Sequence, residues 1–154
     1  MAEDIEWRHW DAINTALQSF ADAFDRADVD ALLALFSPDA VWDHGADHIR
    51  QGHESIGAFL SDRHSVYAQT SHHVGPPTVQ RDADGSSFKS VAYLIATHFL
   101  HDGSTYTGYG RYVSTWCHVG TGLRIARHTV IAHVTRGVSP PVNQLARAIV
   151  ERHT

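Results

Sequence analysis

Asp25 and the thirteen histidines of this 154-residue sequence are the side chains whose types suggest acid-base chemistry. Asp25 directly follows Phe24 at the end of the first predicted helix, beside the apolar stripe of that helix. A carboxylate there is either solvated or turned inward, and burial without a partner raises the pKa of a carboxyl group. An inward Asp25 and a histidine across a cavity would form a general acid and base pair.

His98 lies on a long predicted strand that ends at the pair Asp102-Gly103. Asp-Gly favours a two-residue hairpin turn, which puts three pairs on one sheet face: His98 with Thr107, Ala96 with Tyr109, and Leu94 with Arg111. Small side chains at Ala92 and Ala96 leave room for a pocket beside His98, although a curved core and a structural histidine explain the same pattern. The bulkier opposite face is expected to pack against another subunit, and it carries Val91, Tyr93, Ile95 and Phe99.

Metal-assisted chemistry is a further hypothesis, because two histidines and a carboxylate can hold iron or zinc. The candidate ligands are Asp43-His44, Asp47-His48 and His72-His73. No His-Glu-x-x-His spacing occurs in the sequence. Residues 43–48 are better explained as a solvated loop, so no metal and no other cofactor is expected.

Three helices are predicted in the first half of the chain. The first spans about Glu6 to Arg26, with apolar residues at helical spacing. Asp28 is expected to cap a second, short helix that buries residues as far as Phe36, and Ser37-Pro38-Asp39 to end it in a turn. A strand over Ala40–His44 and a third helix from Gly52 follow.

Beyond Thr70 the sequence favours strands. Segments rich in β-branched and aromatic residues, separated by turn signals, predict an antiparallel meander over Val79, Phe88 to His101, Tyr106 to Cys117 and Leu123 to Val134. Ser139-Pro140-Pro141 then resembles a helix start, so a closing helix over about residues 139–152 is expected. Helices first and a long meander afterwards indicate the α+β class, with a sheet that must curve and enclose a space beneath the helices.

The composition predicts one globular domain over residues 1–154, with its core over about 6–136. A formal net charge of −5, with Lys89 as the sole lysine, argues against a nucleic-acid partner. No stretch approaches the ~20 apolar residues of a membrane span and no secretory signal is apparent, so a cytoplasmic location is expected. Cys117 is the single cysteine, which excludes an internal disulfide.

Several fragments, in this order and spacing, resemble the SnoaL-like group of the nuclear transport factor two-like superfamily, whose members include polyketide cyclases, dehydratases and a dehydrochlorinase. The resemblance covers nearly the whole chain. It rests on residues 20–25 (FADAFD), 32–42 (LLALFSPDAVW), 52–56 (GHESI), 72–79 (HHVGPPTV), 110–112 (GRY) and 123–127 (LRIAR). It implies a cone of strongly bent, mainly antiparallel sheet with three N-terminal helices over its concave face, and usually a homodimer.

The resemblance also implies the site. In the family's dehydratases and dehydrochlorinase, an aspartate at the end of the first helix works with a histidine at the start of the strand after the third helix. Asp25 and His72 match these positions, and His73 is the alternate because a slip of one residue would exchange their faces. Pro76 replaces the family's asparagine four residues after the histidine.

Other positions are expected to bind substrate. His98 matches a second pocket histidine of scytalone dehydratase-like proteins, and Trp42 matches an aromatic wall position. Phe20 stands where bile-acid dehydratase-like members carry a tyrosine, which argues against that specificity. Phe20, Trp42 and Leu94 are expected to fit the substrate, and His98, Tyr109 or Arg111 to stabilise negative charge on it.

The expected function is that of a lyase or isomerase without a cofactor, acting on a small apolar or aromatic cyclic molecule. Asp25 would position the histidine, and His72 would move the proton. The alternative is a pocket that binds without chemistry, or an assembly subunit similar to the small subunit of ring-hydroxylating dioxygenases, because fold alone does not fix function.

Overall fold

The computed structural model describes residues 6–45 and 48–137, and in it three helices pack on one curved sheet. The helices are α1 (Trp7–Asp25), α2 (Val29–Leu33) and α3 (Gly52–Val66). The side chains that α1 buries are those of its predicted apolar stripe, including Ile13, Leu17, Phe20 and Phe24. The early helices and the α+β class are thereby confirmed.

Seven strands form one open sheet among the described residues. They are β1 (Phe36–Asp43), β2 (Ile49–Gln51), β3 (Tyr67–Val74), β4 (Thr78–Arg81), β5 (Ser87–Leu100), β6 (Thr105–Val119) and β7 (Gly122–Gly137). Their order in the sheet is β2-β1-β7-β6-β5-β3, and β4 also pairs with β5. All pairs are antiparallel except β1 with β7, which is parallel. Bulges interrupt the pairing of β6 with β7, and bulges increase the local twist and bend of a strand.

The connection from α2 into β1 corrects one prediction. Asp28 caps α2 as expected, since its Oδ1 accepts a hydrogen bond of 3.0 Å from the Ala31 N–H. However, α2 ends at Leu33, and residues 37–39 belong to β1 instead of a turn. The reason is that Phe36 already pairs with Ile125 of β7, and Pro38, which has no N–H to donate, falls where the register of β1 shifts.

The hairpin between β5 and β6 corrects a second prediction. A two-residue turn of the expected type needs positive φ at both central residues, but only Gly103, at φ 84°, has it, and Asp102 does not. Instead, Leu100 and Ser104 close a three-residue loop, with the Leu100 N–H donating to the Ser104 carbonyl at 2.9 Å. The Asp102 carboxylate accepts from the Ser104 N–H at 2.9 Å and fixes this loop.

This loop moves every predicted pair of β5 and β6 by one residue. His98 lies opposite Tyr106, Ala96 opposite Gly108, and Leu94 opposite Gly110. Residues 109 and 111 are therefore paired with Ile95 and Tyr93, on the face that points away from the helices. The division of β5 itself is as predicted: Ala92, Ala96 and His98 are buried, while Tyr93, Ile95 and Phe99 are exposed.

An aromatic cluster fills the space between α1 and the concave face of the sheet. The Phe20 ring stacks on Trp42 at 5.7 Å and lies 4.8 Å from His128, whose ring is 4.4 Å from Tyr112. His128 is fully buried, and its Nδ1 lies 2.8 Å from the Ser114 hydroxyl. Burial lowers the pKa of His128 to about 3, so this histidine is part of the core as a neutral ring.

One remaining prediction concerns a helix near the C-terminus, and another concerns membrane spans. The closing helix expected at residues 139–152 lies outside the described residues. Within residues 6–45 and 48–137, no helix is long and apolar enough to cross a membrane.

His128 gives the fold a testable acid sensitivity. Because its pKa is lowered on folding, the unfolded chain binds the proton first, and stability falls as the pH drops below about 6.5 towards 3. Between pH 6 and pH 5 this one group should lower the free energy of unfolding by about 1 kcal/mol. Urea unfolding of His128→Gln at both pH values should show the pH slope reduced by that amount.

The exposed His118 provides the control, because His118→Gln should leave the slope unchanged. Comparing slopes rather than absolute stabilities removes the packing loss that the His128 substitution also causes. An unchanged slope in His128→Gln would contradict a neutral buried His128.

Candidate functional site

Asp25 and His72 form a hydrogen-bonded pair where the end of α1 meets β3. The Asp25 Oδ1 lies 2.7 Å from His72 Nδ1, and the Asp25 Oδ2 accepts the His72 backbone N–H at 2.9 Å. The Thr70 hydroxyl donates a third bond of 2.9 Å to Oδ1. The carboxylate is thus held by groups of β3 on both oxygens, and the inward orientation of Asp25 is the one adopted.

The Asp25 carboxyl is ionised in this setting. Burial alone would raise the pKa of this carboxyl group. The hydrogen bonds from His72 and Thr70, together with the charge that His72 carries when it is protonated, lower the pKa by more than burial raises it. The pKa of Asp25 therefore lies below the ordinary 3.8. An ionised carboxylate can only accept, so His72 Nδ1 carries the proton that it shares with Asp25. The other ring nitrogen, Nε2, is then the basic one.

The register of β3 distinguishes His72 from His73. His72 pairs with Ala96, whose side chain is buried on the concave face, and His73 pairs with the exposed Ile95. The His72 side chain is 4% exposed, whereas His73 lies on the outer face with its Nε2 3.3 Å from the Ser71 hydroxyl. His72 is therefore the histidine that meets both Asp25 and the interior.

A cavity that opens to solvent lies between the helices and the concave face beside His72. Most of its wall is apolar or aromatic, as in most small-molecule sites. The side chains that contribute chemistry or shape to the wall are those of Phe24, Trp42, His44, Arg63, His72, Leu94, His98, Tyr106 and Tyr112.

His98 is brought to this cavity as a neutral side chain. Its ring lies 5.7 Å from that of His72, edge to face. Burial, followed by the charge that His72 carries when it is protonated and by that of Arg63, lowers its pKa to about 3, while a hydrogen bond with the Tyr106 backbone acts in the opposite direction. At neutral pH His98 is thus a weak base that can still form hydrogen bonds, and its Nδ1 has no partner among the described residues.

The structure separates the other predicted substrate-binding residues into two groups. Trp42 and Leu94 line the cavity. Phe20 does not line it but supports Trp42 from behind. Tyr109 borders the cavity at the bulge before Gly110, and Arg111 is not among the lining residues because the corrected register pairs it with Tyr93 on the outer face.

Arg63 and Tyr112 are wall residues that the sequence analysis missed. Arg63 is buried, and it follows Ile56 and Leu60 at helical spacing, so a charged residue continues the buried stripe of α3. That break in the stripe was the available signal. Tyr112 enters the wall opposite Ala92, a position that only the observed register gives. Burial, with the nearby charge of Asp25, raises the pKa of Tyr112, so its hydroxyl remains a proton donor.

Two glycines of β6 shape the wall differently. At Gly108 an added Cβ would find open space, with the Tyr106 hydroxyl 3.9 Å away. At Gly110 it would lie 2.0 Å from the Ile131 carbonyl oxygen, which is backbone and cannot move aside. Gly110 is required by the close approach of β7, whereas Gly108 leaves volume to the cavity.

The metal hypothesis finds no cluster of ligands in the described part of the chain. Residues 6–45 and 48–137 bring together no group of three or more histidine, cysteine, aspartate or glutamate side chains suited to a metal ion. His44 instead lies in the cavity wall, where burial and the charge of Arg63 lower its pKa to about 3. Asp47 lies outside the described residues.

Comparison with known proteins gives a family and a set of similar structures. The model of the SnoaL-like domain matches residues 7–129. No curated protein matches the sequence significantly. The similar solved structures share the whole fold at low sequence identity.

Three of these structures come from Novosphingobium species. A protein of N. aromaticivorans provisionally named a scytalone dehydratase is 17% identical, with a TM-score of 0.80 over 87% of this chain and 90% of that chain. A second, provisionally named an aromatic ring hydroxylase, is 25% identical, with a TM-score of 0.81 over 88% and 96%. The hexachlorocyclohexane dehydrochlorinase of N. barchaimii is 11% identical, with a TM-score of 0.75 over 88% and 97%.

The contribution of the Asp25 carboxylate can be measured with Asp25→Asn, which keeps the shape and removes the charge. We expect a loss of about 1–2 kcal/mol in the free energy of unfolding at pH 7, because charge-assisted hydrogen bonds are lost. The lowered pKa of Asp25 means that its contribution is present above pH 3.8 and is lost as the pH falls through the folded-state value. Denaturant unfolding at pH 7 and at pH 3 measures both effects.

Asp22→Asn is the matched control on the same helix. Asp22 is exposed and its carboxylate pairs with the exposed Arg26, so its substitution should change stability by less than about 0.5 kcal/mol. If Asp25→Asn lowered the free energy of unfolding as little as Asp22→Asn, the result would contradict a stabilising role for the three hydrogen bonds to the Asp25 carboxylate.

Proposed function

Because the chain belongs to the SnoaL-like domain family, we propose that it is a lyase or isomerase that uses Asp25 and His72 for acid-base chemistry on a small, largely apolar cyclic molecule. One observation carries the proposal. The 2.7 Å bond from Asp25 to His72 Nδ1 leaves Nε2 as a base, on a side chain that lines a cavity.

The geometry supports a division of labour between the two residues. Asp25 fixes the tautomer and orientation of His72 and stabilises the imidazolium that forms when the ring takes a proton. His72 Nε2 abstracts a proton from a carbon next to a carbonyl group, and the C–H electron pair becomes the C=C bond of an enolate whose negative charge lies on the carbonyl oxygen. The C=O bond then re-forms as the imidazolium returns the proton to another carbon of the conjugated system, or as it protonates a leaving group whose bond to carbon breaks while a C=C bond forms.

Negative charge that develops on the carbonyl oxygen needs a donor in the wall. The sequence predicts His98, Tyr109 or Arg111 for this role. The buried Tyr112 hydroxyl is the better candidate, since it lines the cavity and stays protonated. Arg111 is dropped because it is paired on the outer face. A preorganised donor in an apolar wall stabilises an oxyanion more strongly than water does.

The names of two similar structures are consistent with this chemistry. A dehydratase and a dehydrochlorinase are both enzymes of elimination, and both share the fold. Their sequences are too different from this one to carry over a substrate, so the reaction type is inferred from the Asp25 and His72 geometry of this chain.

A second candidate is a binding or assembly function without chemistry. The outer face of the sheet exposes Tyr93, Ile95, Phe99 and Val134, an apolar surface that favours contact with another subunit. A homodimer formed through the same face is compatible with either function.

Proton exchange tests the catalytic proposal without knowledge of the natural substrate. The protein in D₂O is mixed with a panel of cyclic ketones such as 1-tetralone, and the loss of the signal from protons next to the carbonyl is followed by NMR. We expect the wild-type protein to accelerate exchange of at least one member. His72→Gln should lower that rate by about 10²-fold or more, and Asp25→Asn should also lower it.

His73→Gln is the matched control, because His73 is the sequence neighbour on the opposite face. It should leave exchange within about twofold of wild type, whereas equal rates in His72→Gln and wild type would contradict the proposal. Ketones that bind tightly without any exchange would favour the second candidate.

A further inference from the structure

The wall of the cavity carries a buried positive charge. Arg63 is 8% exposed and lines the cavity from α3. Arginine stays protonated in proteins, so its guanidinium brings a full charge into an otherwise mainly apolar wall. Among the described residues that line this cavity, none is an aspartate or a glutamate. Arg63 therefore favours an anion over a cation at this part of the wall.

The charge of Arg63 helps to lower the pKa values of two neighbouring histidines, and neither histidine adds a charge of its own. Burial first, and the charge of Arg63 after it, lowers the pKa of His44, and the same two effects contribute to the lowered pKa of His98. Both histidines are neutral at pH 7. Arg63 is consequently a cation in the wall, whereas these two histidines are not.

A second observation indicates a ligand at the same part of the wall. The indole Nε1–H of Trp42 is buried and has no hydrogen-bond partner among the described residues, although Trp42 is only 3% exposed. A buried donor left without an acceptor is costly. Trp42 and Arg63 also share a neighbour: the Phe59 ring lies 5.9 Å from the Trp42 ring and 5.3 Å from the Arg63 Cζ.

We propose that Arg63 and Trp42 form an anion subsite, and that the ligand of the cavity is a small cyclic carboxylic acid. Its carboxylate accepts hydrogen bonds from the guanidinium and from the indole N–H, while its ring lies against the apolar wall. A planar guanidinium matches the two oxygens of a carboxylate. A phosphate group, with its greater charge, would require more cationic groups than this wall contains.

Ring contacts connect the subsite to the Asp25 and His72 pair. The Arg63 Nη2 donates to the Tyr67 hydroxyl at 3.4 Å, the Tyr67 ring lies 4.5 Å from His98, and His98 lies 5.7 Å from His72. Arg63, His98 and His72 all line the same cavity, so one ligand can contact all three, and a bicyclic acid is a suitable probe. The identity of this acid as a substrate rests on the proposed function, whereas its binding depends on the subsite alone.

Two probes of the same shape test the subsite. 2-Naphthoate carries the carboxylate, and 2-naphthamide is its neutral counterpart. Isothermal titration calorimetry at pH 7 should show that the wild-type protein binds 2-naphthoate at least about tenfold more tightly. Equal affinities, tighter binding of the amide, or failure of both probes to bind at millimolar concentration would overturn the inference.

Substitutions then locate the preference. Arg63→Met, which keeps an unbranched apolar stem, should weaken 2-naphthoate binding at least about tenfold and change 2-naphthamide binding by less than about threefold. Trp42→Phe should weaken 2-naphthoate binding by a smaller factor. Arg63→Lys retains the charge and should keep part of the preference, so it tests the idea even if Arg63→Met does not fold.

Arg50→Met is the matched control. Arg50 also lies over the Phe59 ring, with its Cζ 5.5 Å from the ring centroid, but it is not among the residues that line the cavity. The preference for 2-naphthoate should survive in this variant. A preference that persists in Arg63→Met, or that disappears equally in Arg50→Met, would contradict the assignment to Arg63.

The subsite and the catalytic proposal fail in different ways. Asp25→Asn should lose proton exchange and keep the preference for 2-naphthoate. A wild-type protein that prefers 2-naphthoate but exchanges no protons would contradict the catalytic proposal and support the subsite. Proton exchange without any preference between the two probes would support the catalytic proposal and contradict the subsite.

Discussion

The carboxylate of Asp25 joins the helical layer to the sheet, and the shape of the cavity depends on that link. It accepts hydrogen bonds from the Thr70 hydroxyl and from both the backbone and the side chain of His72. These donors lie on β3, at the edge of the sheet, while Asp25 ends α1. One charged group therefore ties β3 to the end of the first helix and determines which nitrogen of His72 remains basic.

Neutral histidines are the second constraint on the interior. Three buried histidines, His44, His98 and His128, have their pKa values lowered to about 3, chiefly by burial. Each therefore contributes the shape and hydrogen bonding of an imidazole without a charge. In the part of the chain that the structure describes, a negative charge then lies at Asp25, behind His72, and a positive charge at Arg63 in the wall. This separation allows a proton to be moved at one place and an anion to be bound at another.

Sequence patterns predicted the parts of the structure that depend on local periodicity. The stripe of α1, the cap at Asp28 and the two faces of β5 follow from spacing alone, and the family resemblance added the fold and the choice of His72. The predicted register of β5 and β6 was wrong because Asp-Gly fits both a three-residue loop and a two-residue turn. The two-residue turn requires a positive φ at Asp102, which this residue does not have. That single residue decided the positions of Tyr109, Arg111 and Tyr112.

Arg63 was missed for a different reason. A charged residue on a helix is usually solvated, and only the packing of α3 over the sheet shows that this one is buried. The turn expected at Ser37-Pro38-Asp39 failed because pairing with β7 begins at Phe36, a contact between residues far apart in sequence. Long-range contacts of this kind override local preferences, so they could not be derived from composition or spacing.

The two glycines of β6 give the cavity a natural point of adaptation. Gly110 is fixed by the backbone of β7, but a Cβ at position 108 would make only an ordinary contact with the Tyr106 hydroxyl, so a small side chain there would enter the cavity wall without moving a strand. The size of the bound molecule can consequently change by single substitutions at position 108, independently of Asp25, His72 and Arg63. A protein engineer could use that position to resize the pocket, and evolution has the same route to new ligands on an unaltered scaffold.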